Sequence, residues 1–224
     1  MPVLAVLTSV GLVASLWGVF VTTPLADVLF FNQKIFYFHV AHAFMLFASV
    51  FACAVCSAVY LKTRNPRWDD VALATAEVAV VLGAAVLITG MIWAKAAWDV
   101  WWKWEKRLTM SLLLWLTLVG YVMVRRFAGA GGERLAAALA VFAAVALPFI
   151  YTMVDQGDLH PQAGARGNVA TLGPAMRGTF WLAVATFLGW TSLLVTARVA
   201  SARAERRAAE LRERALDAGL LGES

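Results

Sequence analysis

The sequence predicts an all-α integral membrane protein with six transmembrane helices, both termini cytoplasmic, and a short amphipathic, tryptophan-rich segment on the outer face. Three observations predict it. Of 224 residues, 62% are hydrophobic, against about 45–50% in ordinary soluble domains. Only 15% are charged, and these gather in short connectors between long apolar runs, the pattern of a chain whose solvent is lipid. Lysine and arginine are also divided unequally between alternate connectors. A soluble domain would scatter charge along every surface helix, so that class is excluded.

A hydrocarbon core of ~30 Å requires about 20 residues of helix. The first span covers 3–23 and is closed by Pro24; without a basic n-region or a small-residue cleavage site it reads as a retained helix. The second covers 36–61 and stops at Lys62, and the third covers 71–92. The fourth, 108–124, ends at Arg125 and Arg126; after the connector AGAGGE the fifth covers 135–154, and the sixth covers 178–197. Residues 1–197 thus form the membrane domain and 198–224 a charged cytoplasmic helical tail. Its arginines are interleaved with Glu205, Glu210 and Glu213, as in a solvated helix beside a membrane. The net charge of +5 therefore implies no nucleic-acid partner.

Orientation follows from the cations. One set of connectors carries twelve: Lys62, Arg64, Arg67, Arg125, Arg126, Arg134, Arg198, Arg203, Arg206, Arg207, Arg212 and Arg214. The other carries seven: Lys34, Lys95, Lys103, Lys106, Arg107, Arg166 and Arg177. The first set is cytoplasmic, and the connectors 24–35, 93–107 and 155–177 face outward. Cys53 and Cys56 are spaced as a redox or metal pair but fall mid-span, where free cysteine behaves as a small hydrophobe.

Five of the ten tryptophans, Trp93, Trp98, Trp101, Trp102 and Trp104, fall in one outward connector. An interfacial belt takes one or two per helix end; five together suggest a platform. Trp98, Trp101 and Trp102, with Lys95, are expected on one side of a short helix lying in the interface. Such a surface, with cations beside π-faces, suits a flat, amphipathic, anionic ligand. Lys95, Lys103, Arg107 and Arg166 are candidate partners for its carboxylates. Asp99 and Glu105 neutralise adjacent lysines, and Glu77 reads as a packing or snorkelling residue near the cytoplasmic surface.

All three histidines fall on this same side. His39 and His42 open the second span, and His160 lies in the last outward connector. An ionisable residue in a membrane helix is a functional candidate, and neutral imidazole is the usual ligand of haem iron. His39 and His42, three residues apart, are expected to point to nearly the same side of one helix, so they cannot take opposite faces of one porphyrin. The pair is therefore His39, the nearer to the surface, with His160, in a loop that Pro161, Gly157 and Gly164 allow to fold over. Cys53 is ~21 Å further along the helix. No phosphate-binding loop G-x-x-x-x-G-K-[ST] occurs, so any ATP-driven step belongs to another polypeptide.

The run WWKWEKRLT, ending the segment 93–109, resembles the tryptophan-rich "WWD" signature of the haem-handling membrane proteins of cytochrome c maturation. Together with FHV at His39 and DLH at His160, it is similar to the short six-span branch of that superfamily, the haem exporter protein C family, over about residues 30–195. The resemblance implies axial ligation of haem b, non-covalent and transient, by His39 and His160. It also implies hand-over at the outer face of a bacterial cytoplasmic membrane to a membrane-anchored haem chaperone. The partners it implies are the membrane and ATPase subunits of an ABC transporter and a small single-span accessory subunit. Ala41, Ala94 and Glu105 depart from the family pattern but preserve its charge and aromatic content.

Two other classes are weighed. A b-type cytochrome subunit exchanging electrons with quinone would place histidines on facing helices across the bilayer, not all on one side. A transporter would need broken helices at the midplane, for which Pro148 is the only candidate.

Overall fold

The computed structural model describes residues 1–25, 30–129, 131–152, 169 and 172–220. Its long helices are α1 (Pro2–Trp17), α2 (Lys34–Thr63), α3 (Pro66–Trp98), α4 (Lys106–Phe127), α5 (Gly132–Thr152) and α6 (Pro174–Asp217). A π turn, Gly18–Thr22, extends α1, and a 3-10 turn, Phe31–Gln33, leads into α2. All six segments are long and apolar enough to cross a membrane, as the composition predicted. This is a multi-pass, all-α membrane protein.

Local chemistry explains the tight α2–α3 corner. Arg64 ends α2 in the left-handed region at φ 57°, its N–H donating to the Tyr60 carbonyl. Asn65 then caps α3, its side-chain oxygen accepting from Arg67 N–H at 3.0 Å, and Pro66 occupies the first helical position, where the missing N–H costs nothing. α5 continues through Pro148 to Thr152. Helix α3 does not stop at position 92, the limit set by bilayer thickness; it runs on to Trp98. Likewise α6 is unbroken across position 197, its 44 residues spanning about 66 Å.

The α2–α3 pair is the most extensive contact in the bundle; α5 packs on α2, and α4 closes against α3 and α5. Met45, Leu46 and Val50 of α2 meet Val78, Ala79 and Leu82 of α3, with Leu114 and Leu118 of α4 behind them. Cys53 and Cys56 are free and buried in a second cluster with Ala72, Ala76 and Tyr121, which suits their reading as packing residues. α1 lies against α6 through small residues, the usual device for close approach in lipid. A Cβ on Gly189 would come within 2.1 Å of Thr8 Cγ2, and one on Gly11 within 2.6 Å of Thr186 Oγ1.

Two ends of the bundle are chemically distinct. At the arginine end, Asp69 and Asp70 near the start of α3 are 2% and 4% exposed. Arg125 of α4 reaches Asp69 at 2.8 Å, and Arg206 of α6 reaches Asp70 at 2.6 Å. Further along, Arg198 grips Glu77, with Arg126 at 3.8 Å. Glu77 is thus a helix-packing residue. Because α3 and α6 are antiparallel, Arg198 and Arg206 meet Glu77 and Asp70 in register.

Thr8 is held rigidly by its hydroxyl bonds to the Leu4 and Ala5 carbonyls. Gly189→Ala is therefore expected to destabilise the α1–α6 contact by about 1–3 kcal/mol. Thermal unfolding in detergent checks this, and adding Thr8→Ser, which removes the offending methyl, restores most of the loss.

Candidate functional site

The opposite end carries His39, His42 and the tryptophans of the 93–104 segment, and several bonds gather its chain segments. Lys34, only 4% exposed, donates its Nζ to the Thr23 carbonyl at 2.8 Å and the Thr23 hydroxyl at 2.7 Å, joining the end of α1 to the start of α2. Asn32 donates to the Ala96 carbonyl at 3.2 Å, joining the 3-10 turn to the end of α3. Arg107, in the first turn of α4, donates from Nε to the Ile150 carbonyl at 2.9 Å and from Nη2 to the Tyr151 carbonyl at 3.0 Å. A cation at a helix C-terminus meets the negative end of the helix dipole and its unsatisfied carbonyls. Arg107 thus fixes the last turn of α5, the point from which the chain enters 153–168.

His39 is half-buried on the second turn of α2 and faces α3. Its Nδ1 is 3.0 Å from the Thr89 hydroxyl oxygen. Gly90 is the neighbour that lets the ring in, since a Cβ there would lie 3.2 Å from His39 Cε1. His42 points elsewhere: its ring packs on Phe187 of α6, centroids 4.2 Å apart, with Nδ1 2.7 Å from the Phe38 carbonyl. The expectation that the two histidines share one side is corrected here. Three residues turn a helix by about 300°, and at the α2 surface that 60° difference separates the α3 interface from the α6 interface. His160 and Arg166 lie outside the described residues, as do Pro161, Gly157 and Gly164. The flanking Val169 and Leu172 pack against the buried cluster of Val19, Tyr37 and Phe180.

The tryptophan segment is not a separate interfacial helix. Trp93 and Trp98 belong to the last two turns of α3, and α3 ends where Asp99 takes a left-handed conformation at φ 59°, tolerable for aspartate. Lys95 secures this stop, its Nζ 2.5 Å from the Asp99 carboxylate and 3.3 Å from its carbonyl. Residues 99–105 then cross to α4 without helix. Trp93 follows Thr89 by one turn on the same face of α3, and its ring meets Trp98 edge-on at 4.8 Å. Trp102 and Trp104 pair at 5.7 Å and line an apolar groove of about 560 Å³ with Leu87, Ile88 and Met91 of α3 and Leu112 and Trp115 of α4. At 100° per residue, Leu87, Ile88 and Met91 centre on the side of α3 away from Thr89 and Trp93. The expected single shelf is instead two edge-on tryptophan pairs, Trp93–Trp98 at the end of α3 and Trp102–Trp104 at the groove, with Trp101 exposed.

Against this geometry, residues 1–214 match the family model described as heme exporter protein C. The chain belongs to the heme exporter protein C family. A heme exporter protein C from Bradyrhizobium diazoefficiens is 30% identical over 179 residues, covering 77% of this chain and 66% of that protein. One from Escherichia coli K12 is 29% identical over 174 residues, covering 75% and 69%, and one from Rhodobacter capsulatus is 34% identical over 106 residues, covering 47% and 43%. The aligned part thus spans just under two thirds of the Bradyrhizobium protein and under half of the Rhodobacter protein.

Within this family member, the residues that sequence reasoning missed are Thr89 and Gly90. The available signal was a polar–glycine pair inside an apolar run, at the depth that antiparallel pairing brings opposite His39. For the end of α5, Arg107→Ala is expected to raise amide hydrogen exchange at residues 149–152 about tenfold, since hydrogen bonds from a charged donor contribute roughly 1.5–3 kcal/mol. Exchange measured by mass spectrometry checks this, with the α2–α3 interface unchanged.

Proposed function

We propose that this chain binds haem b non-covalently at the tryptophan end, facing outward from a bacterial cytoplasmic membrane. It hands the haem to a membrane-anchored haem chaperone during cytochrome c maturation. It works beside the membrane and ATPase subunits of an ABC transporter and a small single-span accessory subunit. The observation that carries this reading is the seating of His39 against the face of α3 that bears Trp93, at the end of the bundle where α5 leads into the stretch containing His160.

The residues present fit haem. Neutral imidazole is a common ligand of haem iron, and the ring nitrogen of His39 not used toward Thr89 is Nε2. Gly90 leaves room where a Cβ would press on the ring. The Trp93–Trp98 pair offers apolar π-faces one turn away, suited to an extended aromatic ligand. His39 and His160 are assigned as the axial ligands. Lys95 and Arg107 also hold helix ends, and Lys95, Lys103, Arg107 and Arg166 are the cations assigned to the propionates. The exposed Trp101 and Trp104 are what an approaching chaperone meets. The chain contributes positioning, and the bound group supplies its own redox chemistry.

The test is spectroscopic. Full-length protein extracted from membranes is expected to carry haem in equimolar ratio with a low-spin spectrum. That spectrum weakens in His39→Ala and in His160→Ala, and added imidazole restores it. An unchanged spectrum in both variants rejects the ligand assignment.

A further inference from the structure

We infer that Thr89 is the positioning residue that sets the tautomer of His39, presenting Nε2 as the iron-ligating nitrogen. This rests on the reading of His39 as a haem ligand. It adds a residue of α3 that no sequence motif marks, acting through His39 and not on the haem itself.

The protons available at the contact decide the tautomer. A threonine hydroxyl has one hydrogen to donate and two lone pairs. The Thr89 oxygen lies 2.7 Å from the Ala85 carbonyl, one helical turn earlier. A carbonyl can only accept, so the single hydroxyl proton is directed there. The contact between Thr89 Oγ1 and His39 Nδ1, at 3.0 Å, then requires the imidazole to donate. A neutral ring that donates from Nδ1 carries its lone pair on Nε2.

Each neighbour reinforces this arrangement. Thr89 is half-buried and β-branched, so its rotamer is restricted within a helix, and the bond to Ala85 holds the oxygen in place. Gly90 lets the imidazole edge approach the α3 backbone. The deep α2–α3 packing on the arginine side of this contact fixes the register that brings position 39 opposite position 89. His42 offers a contrast: its Nδ1 bonds to the carbonyl of Phe38 on its own helix, and its ring is packed against Phe187. Of the two histidines on α2, His39 is the one whose Nδ1 meets a side chain of a neighbouring helix.

Partners of this kind on a ligating histidine raise its basicity, and losing one typically weakens metal binding about 10–100-fold. Donation from Nδ1–H also increases electron density at Nε2 and so favours ferric iron. The experiment uses the haem-loaded full-length chain in detergent, with wild type, Thr89→Val, Thr89→Ser and His39→Ala compared. The readouts are the midpoint potential of the bound haem and the rate of haem loss to apomyoglobin. Thr89→Val, which removes the oxygen and keeps the branched shape, is expected to shift the potential positive and to speed haem loss by about tenfold or more. Thr89→Ser, which keeps the oxygen, is expected to behave as wild type.

A Thr89→Val protein with the wild-type potential and loss rate overturns the inference. So does a Thr89→Ser protein shifted as far as Thr89→Val, because the methyl and not the hydroxyl would then matter. If His39→Ala keeps the wild-type spectrum, the ligand reading fails and this inference falls with it. If His39→Ala loses the low-spin spectrum while Thr89→Val is silent, the ligand reading stands and only the role of Thr89 is rejected.

Discussion

The antiparallel pairing of α2 and α3 is the constraint on which the rest of the molecule depends. Within a bilayer, polar groups find no water and must be satisfied by the protein. Between α2 and α3 the middle is apolar, with Met45, Leu46 and Val50 against Val78, Ala79 and Leu82. The ion pairs and the histidine contact of α3 fall toward its two ends: His39 on Thr89 at one, and Asp69, Asp70 and Glu77 with their arginines at the other. A slide of one helix along the other would move both out of alignment, so packing in the middle sets the chemistry at the ends.

The arginine end has its own logic. Buried carboxylates are costly unless paired and hydrogen-bonded, and Asp69 receives both Arg125 and Arg206. These contacts join α3, α4 and α6, three helices whose intramembrane surfaces touch only partly. They also dock the first turns of the α6 extension along α3, so that the charged tail continues the body of the bundle without a linker. At the tryptophan end, Lys34, Asn32 and Arg107 join one segment to the next. Each donates to a carbonyl at or beyond a helix C-terminus, which is where unsatisfied acceptors occur.

The six spans were legible because continuous apolar runs of membrane length have few other uses. Their ends were less so. Position 92 looked like the end of a span because it exhausts the hydrocarbon thickness, yet the residues beyond it, AKAAW, are good helix formers and carry α3 to Trp98. That extra turn and a half removes the interfacial helix and decides which way each indole faces. The tryptophans as a group were visible in the sequence; their division into two pairs was not, because it depends on where Asp99 breaks the helix. His39 and His42 were separated by the angle between two neighbouring helices, a tertiary quantity. Lys95 and Arg107 also bond the open ends of α3 and α5, a role that charge alone does not reveal. Thr89 carries no motif at all, and only the helix pairing reveals it.

Haem ligation by His39 and His160 requires the chain around position 160 to stand on the same side of the membrane as the tryptophan segment. Single cysteines placed at Lys103 and at Gln162, in a chain with Cys53 and Cys56 replaced by alanine, test this directly with a membrane-impermeant maleimide added to intact cells. Labelling of both sites from outside is the predicted result. Labelling at position 103 with protection at position 162, relieved only when the membrane is breached, would contradict it.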